Sequence, residues 1–150
     1  SSTEATYWQL IENNINEPAN SIDVDTMEAS EGNHSLKFYH NSGTGCWEQW
    51  INQVVPLENI YPETTYNISF DYKSYISLSP GAEMGFRLYN NTMNIQIPLP
   101  AFSGDGNWHT FTSDFTIPTN IGSTDPTLSL HFCRQGVGSW WVDNINIVKI

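Results

Sequence analysis

The chain has 150 residues, a length typical of one domain with a full hydrophobic core, and it carries six Trp, seven Tyr and seven Phe. Its net charge of −11 and its five Lys and Arg residues argue against nucleic acid and anionic membranes as partners, because both favour a basic surface. The negative charge leaves neutral ligands and cations as the expected partners. No apolar run reaches the roughly 18 residues that a membrane-spanning helix needs.

Alternation of apolar and polar residues predicts strands along the whole chain, and frequent Gly, Pro and Asn leave no helical pattern. Short strands with one apolar face and no crossover helices indicate antiparallel sheets packed face to face. The prediction is an all-β, antiparallel β-sandwich of jelly-roll type with about ten strands. In chain order the predicted strands are 6–12, 21–27, 34–40, 46–57, 65–75, 83–89, 93–99, 109–117, 127–133 and 140–150.

Residues 1–6 are predicted to be the remnant of a linker, and residues 7–150 a single domain of a larger protein. Low Lys content together with many Asn, Thr, Ser and Trp residues suits a secreted protein, so we expect an extracellular location. Sequons for N-glycosylation, whose use depends on the source, begin at Asn33, Asn67 and Asn90.

Five segments resemble, in order, the motifs of bacterial carbohydrate-binding modules of the β-jelly-roll superfamily, families 4, 9, 16 and 22. EASEGNHSLKF at 28–38 resembles their "sGkySLkv" segment, and WWVDNINI at 140–147 resembles the closing "fyiDDVsl". The chain departs from this motif at Asn144, which replaces the second Asp. The resemblance implies a jelly roll that binds a glycan chain across a concave sheet. The other three matching segments are WINQVVPL at 50–57, YPETTYNISFDYKS at 61–74 and GNWHTFTSDFTIP at 106–118.

The resemblance also implies a structural Ca²⁺ bound by the first acid of the closing motif, which is Asp143 here. In the family its partners are typically backbone carbonyls of the first strand and of the loop in the "sGkyS" segment. On this chain that implies Glu12 in the strand and Gly32 or Asn33 in the loop, with Glu28 as a side-chain ligand. Calcium prefers roughly six to eight hard oxygen ligands, so carboxylates and carbonyls suit it.

Asp143 has a second interpretation that needs no metal. A carboxylate in a strand of Trp, Val and Ile is costly to bury unless something positive lies beside it, and no Lys or Arg is close in sequence. This favours a cation. The alternative is that Asp143 lies at an exposed bulge or caps a turn.

A sugar-binding groove needs aromatic rings for the apolar faces of pyranoses, and amides, carboxylates or guanidinium groups for the hydroxyls. Strand parity locates such residues. If Val55 and Leu57 point inward, the opposite face of their strand carries Glu48, Trp50 and Asn52. Trp50 is therefore predicted to stack on sugar, with Glu48 and Asn52 bonding hydroxyls. The alternative for Trp50 is a core residue in a twisted strand.

Arg87 and Tyr89 alternate with apolar residues in their strand, and they are predicted to bind hydroxyls and to stack, respectively. A surface ion pair and an edge Tyr are the alternatives. Further candidates for ligand binding lie on polar strand faces or next to loops, namely Asp71, Trp47, His131 and Gln135. The alternative for His131 is a structural role.

Two tryptophans are predicted to be core residues. Trp108 matches a core position of the family that the chain resembles, and Trp141 begins the alternation 141, 143, 145, 147. The two cysteines lack metal-site spacing. Cys46 shares the parity of Trp50 and Cys133 that of His131, which permits a disulfide, and two reduced thiols are the alternative.

An enzyme of similar fold is the competing class. A retaining glucanase needs two carboxylates about 5 Å apart, often as E-x-D-x-x-E, and that string is absent. Glu48 and Asp71 would have to be brought together on one sheet. We therefore predict a non-catalytic, monomeric module that binds a plant cell-wall polysaccharide (β-glucan, xylan or mannan) and is covalently linked to a catalytic domain. A structural jelly roll without sugar binding is the second prediction, and a polysaccharide-degrading enzyme is the third.

Overall fold

The computed structural model describes residues 9–12, 21–40, 47–77, 85–134 and 138–150, with the side chains at 9–12, 40, 47–49 and 132–134 left aside. Its elements are β1 (Gln9–Glu12), β2 (Ser21–Asp25), β3 (Ser35–His40), β4 (Trp47–Val54), a 3₁₀ turn (Leu57–Asn59), β5 (Thr65–Ser74), β6 (Gly85–Tyr89), β7 (Asn94–Pro98), β8 (Trp108–Thr116), β9 (Thr127–Arg134) and β10 (Gly138–Lys149). Across these ranges no helix is long and apolar enough to cross a bilayer.

The strands form two five-stranded antiparallel sheets. The front sheet has the order β1-β4-β9-β6-β7, and the back sheet has the order β2-β3-β10-β5-β8. Consecutive strands often lie in different sheets, so the chain crosses between layers as a jelly roll requires. The predicted all-β jelly-roll sandwich is confirmed, and each strand lies within about three residues of its predicted range at the ends that are described.

The core lies between the sheets and includes many aromatic residues. Trp140 of β10 is 1% exposed and stacks on Phe38 of β3, with ring centroids 5.7 Å apart. Phe70 of the back sheet meets Phe86 of the front sheet edge-on at 5.2 Å. Much of the chain's aromatic content therefore joins the two layers.

A bulge in β10 changes which tryptophan faces the core. The pairing register with β5 shifts between Asp143 and Asn146, and Asn144 takes the left-handed φ of 51° that Asn tolerates better than most residues. The alternation therefore does not run unbroken from Trp141. Trp140 points inward, whereas Trp141 lies on the outer face of the back sheet, where other groups bury it to 5% exposure. Trp141 is therefore buried, as predicted for a core residue, but it lies on the outer face of the back sheet and outside the central core cluster.

Trp108 also lies on the outer face of the back sheet. It pairs directly with Lys73, whereas the next residue, His109, pairs with and stacks on the core residue Tyr72. Trp108 is half-buried, so its predicted core position is wrong. The edge position of β8 leaves one side of Trp108 without a neighbouring strand.

Candidate functional site

The outer face of the front sheet gathers most of the residues predicted to bind sugar. The inner face of the front sheet is identified by Ile51, Leu130 and Phe86, which pair across β4, β9 and β6 and are buried. Alternate positions therefore point outward. In the strand order β4, β9, β6, β7, the outward rows are Trp50–His131–Gly85–Pro98, Asn52–Ser129–Arg87–Gln96 and Val54–Thr127–Tyr89–Asn94. We call this surface the front face.

Trp50 is held in place by its neighbours on the front face. It is half-buried, and the ring of His131 meets it edge-on at 5.5 Å and 86°. With the Asn52 amide oriented to satisfy its surroundings, the Asn52 oxygen accepts the indole N–H at 3.2 Å and the nitrogen donates to Ser129 Oγ at 2.8 Å. A fixed and partly exposed indole is a suitable platform for a sugar ring.

Arg87 and Tyr89 share the front face with Trp50, as predicted, but they contact each other. The Arg87 guanidinium lies 4.6 Å from the centroid of the Tyr89 ring, and Arg87 Nε donates to Asn94 Oδ1 at 2.8 Å. Residues two apart in a strand are neighbours on one face, and the long Arg side chain spans that gap. One face of the Tyr89 ring is therefore covered, so the expectation of an open ring is corrected to a joint Arg–Tyr surface.

The front face has the dimensions of an oligosaccharide site. Crossing from β4 to β7 takes three strand spacings, about 14 Å, and Trp50 and Tyr89 lie roughly 16 Å apart along the diagonal. Gly85 places bare backbone between His131 and Pro98, and a Cβ there would lie 2.5 Å from the Ile97 carbonyl oxygen. The surface therefore has a depression in the row that begins at Trp50, at the position of Gly85, which has no side chain.

Three of the remaining candidates are located only in part. In the backbone register of β4 with β9, Glu48 pairs with Cys133 and Trp47 pairs with Arg134. The side chains of both residues lie outside the described part of the structure. Gln135, like Cys46, lies outside the described residues.

Asp71 does not belong to the front face. It lies in β5 of the back sheet, opposite both Asp143 and Thr110. Its polar parity was identified correctly, but each sheet of a sandwich has an outer face and parity does not say which sheet a strand joins. The predicted role of Asp71 in the groove is therefore wrong, and Asp71 does not lie on the same sheet as Glu48.

Three polar residues of the front face were missed. Asn94 and Gln96 alternate with Ile95 and Ile97, so parity within the predicted strand 93–99 contained the signal for both. Ser129 lies between the buried residues of β9, where the same signal was present. Their amides and hydroxyl extend the polar lining as far as the β7 edge.

Asp143 caps a turn from its position at the β10 bulge. Its Oδ2 accepts the backbone N–H groups of Ser30 at 2.9 Å and Glu31 at 3.2 Å, and its Oδ1 accepts the N–H of Asn144 at 2.8 Å. Ser30 Oγ is 3.0 Å from Asp143 and 2.9 Å from Asp71, so one hydroxyl lies between two carboxylates that face each other across strands. This geometry matches the second interpretation of Asp143, in which the residue lies at a bulge or caps a turn.

The groups around Asp143 do not fit the predicted calcium site. Calcium needs oxygen acceptors, whereas N–H and O–H donors approach the Asp143 carboxylate. Glu28 is also engaged elsewhere, because its Oε2 is 2.6 Å from Lys73 Nζ. Within the ranges that the structure describes, no three His, Cys, Asp or Glu side chains are placed to hold a metal ion.

The other predicted calcium ligands are not assembled around Asp143. Gly32 and Asn33 lie in the capped turn, but the turn residues that contact the carboxylate are Ser30 and Glu31. Glu12 ends β1 in the opposite sheet. A buried cation, Lys73, does lie on the neighbouring strand β5 with its side chain 10% exposed, but its partner is Glu28.

Glu28→Gln is expected to lower the free energy of unfolding by about 1–2 kcal/mol, because it leaves the buried Lys73 ammonium without its carboxylate partner. The hydrogen bond from Lys73 to Glu28 raises the pKa of Lys73, so the charged form is the one that the pair stabilises. Urea denaturation at neutral pH, in EDTA and in CaCl₂, measures the loss. Equal losses support the ion pair, and a loss confined to CaCl₂ would make Glu28 a calcium ligand instead.

Comparison with known proteins finds likeness at the level of structure. No protein-family model and no curated protein matches the sequence. The module "Family 16 Carbohydrate Binding Module-2" is 22% identical, with 88% of each chain covered and a TM-score of 0.62. The C-terminal family 22 module of Clostridium thermocellum Xyn10B, whose cleft serves ligand binding, is 13% identical, with 98% of this chain and 88% of that chain covered and a TM-score of 0.65.

A larger protein contains the same architecture. In the arabinose-bound α-L-arabinofuranosidase MgGH51 the match is 13% identical and covers 96% of this chain but 23% of the enzyme, with a TM-score of 0.68. At these identities the likeness establishes the fold. The chain shares the β-jelly-roll fold of carbohydrate-binding modules.

Proposed function

We propose that the protein is a non-catalytic carbohydrate-binding module whose front face binds a single polysaccharide chain. The observation that carries this proposal is the placement of Trp50, His131, Asn52, Arg87 and Tyr89 on one outward face of one sheet. An indole and a phenol cover apolar sugar faces, and amide and guanidinium groups bond hydroxyls. The binding residues lie on rigid strands, so little order is lost when the ligand binds.

The ligand is a neutral cell-wall polymer, namely β-glucan, xylan or mannan. A chain with a net charge of −11 repels polyanions, and the three described rows of the front face contain no Asp or Glu and one Arg, Arg87. Stacking contributes roughly 1–2 kcal/mol per ring, so several contacts give micromolar to millimolar binding.

The module is extracellular and monomeric, and it holds an appended glycoside hydrolase near its substrate. Support for the appended enzyme comes from the arabinofuranosidase, in which the matching fold occupies about a quarter of the chain. An enzyme role for this domain itself has little support, because Asp71 does not lie on the same sheet as Glu48.

Affinity electrophoresis in gels that contain β-glucan, xylan or mannan tests the proposal. We expect retarded migration in at least one polysaccharide, and no new reducing ends after long incubation of the same polymer with the protein. Retardation without turnover supports the module. Release of reducing ends would instead make the domain an enzyme.

A structural jelly roll without sugar binding is the second candidate, and one observation favours it. The Arg87–Tyr89 contact and the Asn52–Ser129 hydrogen bond satisfy groups that a sugar would use. Unretarded migration in all three polysaccharides would select this candidate.

A further inference from the structure

The outer face of the back sheet carries a second group of aromatic residues that the front face does not use. Direct cross-strand pairing places Trp141, Lys73 and Trp108 in one row across β10, β5 and β8. Tyr75 follows Lys73 by two residues and lies beside the same row. We call Tyr75, Trp108, Lys73 and Glu28 the back-face cluster.

Tyr75 is exposed and yet fixed in position. It is 58% exposed, its ring meets the Trp141 ring edge-on at 5.7 Å, and Lys73 Nζ lies 5.2 Å from its centroid. On a further side the ring lies against Gly106, where a Cβ would come within 2.7 Å of the ring carbon Cε1. This close contact depends on glycine at position 106, and with the Trp141 and Lys73 contacts it leaves the ring neighbours on three sides. A ring fixed in advance loses little conformational entropy when a ligand stacks on it.

Hydrogen-bonding groups lie beside this ring. Lys73 Nζ donates to Glu28 Oε2 at 2.6 Å, and the Glu28 side chain is 32% exposed. The exposed part of the carboxylate can accept a hydroxyl from a ligand that covers Tyr75. Trp108, half-buried and paired with Lys73, adds apolar surface on the other side of the cation. The Tyr75 ring, the apolar surface of Trp108 and the Glu28 carboxylate are the kinds of groups that bind a pyranose.

We propose that the back-face cluster is a second carbohydrate-binding surface, which stacks one neutral pyranose of a polysaccharide on Tyr75 and bonds its hydroxyls to Glu28. This inference rests on the proposed function, since it takes the same class of ligand. The two faces belong to different sheets and point in opposite directions. One molecule therefore binds two separate glycan chains and cross-links them.

The size of the cluster favours a sugar over a protein partner. A stable protein interface buries about 800 Å² on each side, much more than one exposed ring beside an ion pair provides. A sugar ring needs one aromatic face and a few polar contacts. The weak affinity of such a site becomes useful through avidity, because the front face already holds the polymer nearby.

The test compares Tyr75→Ala with Trp50→Ala and with a matched control, Tyr61→Ala. Tyr61 is similarly exposed, at 53%, and also carries a lysine over its ring, Lys149 at 5.0 Å, but it lies outside the back-face cluster. Titration calorimetry with a hexasaccharide of the polymer that retards the wild type should give two sites for wild type and Tyr61→Ala, and one for Tyr75→Ala. Retention in polysaccharide gels should fall about threefold to tenfold for Tyr75→Ala and should stay at the wild-type level for Tyr61→Ala.

Tyr75→Phe, which keeps the ring, should retain both sites, and unchanged circular dichroism would show that Tyr75→Ala is folded. A stoichiometry of one in the wild type, with Tyr75→Ala equal to it, would overturn the second surface. In that case a loss of all binding in Trp50→Ala would leave the proposed function standing. Absence of any glycan binding by the wild type would overturn both proposals.

Discussion

Trp50→Ala is expected to weaken binding of a cell-wall hexasaccharide to the front face at least about tenfold, because it removes the indole on which a sugar ring stacks. For a ligand that already binds near the millimolar range, this loss brings front-face binding below detection. The melting temperature should stay within about 5 °C of wild type, since the side chain is half-buried and lies outside the core. Calorimetry and thermal melts of the same samples measure both effects.

Trp50→Phe provides the graded control for this variant. A smaller ring keeps part of the stacking surface but loses the indole N–H that bonds Asn52, so its affinity should lie between those of wild type and Trp50→Ala. A Trp50→Ala protein that melts normally and binds with wild-type affinity at the front face would show that the indole takes no part in recognition.

Asp143→Ala is expected to lower the free energy of unfolding by about 2–3 kcal/mol, with no dependence on calcium. The substitution removes the acceptor of the N–H groups of Ser30, Glu31 and Asn144, and hydrogen bonds to a charged group contribute more than neutral ones. Relief of the repulsion between Asp143 and Asp71 offsets part of this loss. Urea denaturation in EDTA and in CaCl₂ measures the effect.

Asp143→Asn separates the two explanations of this residue. Its amide oxygen can still accept the N–H groups of Ser30 and Glu31, but its amide nitrogen cannot accept that of Asn144. Its charge no longer opposes Asp71, so we expect a loss of about 1–2 kcal/mol, smaller than that of Asp143→Ala. A bound calcium would give a different pattern. EDTA would lower the melting temperature of the wild type, and both variants would lose that response.

Strand parity predicted the architecture and much of the candidate site. The alternation around Trp50 and around Arg87 identified outward positions correctly, because each strand has one face against a continuous apolar layer. The parity argument failed at the β10 bulge, where the backbone interrupts the alternation of inward and outward side chains. The bulge after Asp143 breaks the alternation on which the assignment of Trp141 rested, and Asn144 has a left-handed φ at this point.

Which residues meet across the fold was harder to predict. Asp71 and Trp50 have the same outward parity in their strands, but β5 and β4 join different sheets. Lys73 and its partner Glu28 lie 45 residues apart in the chain, so an argument from neighbours in sequence missed this ion pair. Side-chain pairs such as Arg87 on Tyr89 depend on rotamers, which alternation does not determine.

Mapping the bound ligand by amide and indole chemical shifts tests the central claim most directly. During titration with the hexasaccharide that binds best, the account predicts shifts at the Trp50 indole N–H and at Arg87, Asn94 and Gln96 of the front face. Saturable binding that leaves all four of these signals unmoved would contradict the assignment of the front face as the glycan site.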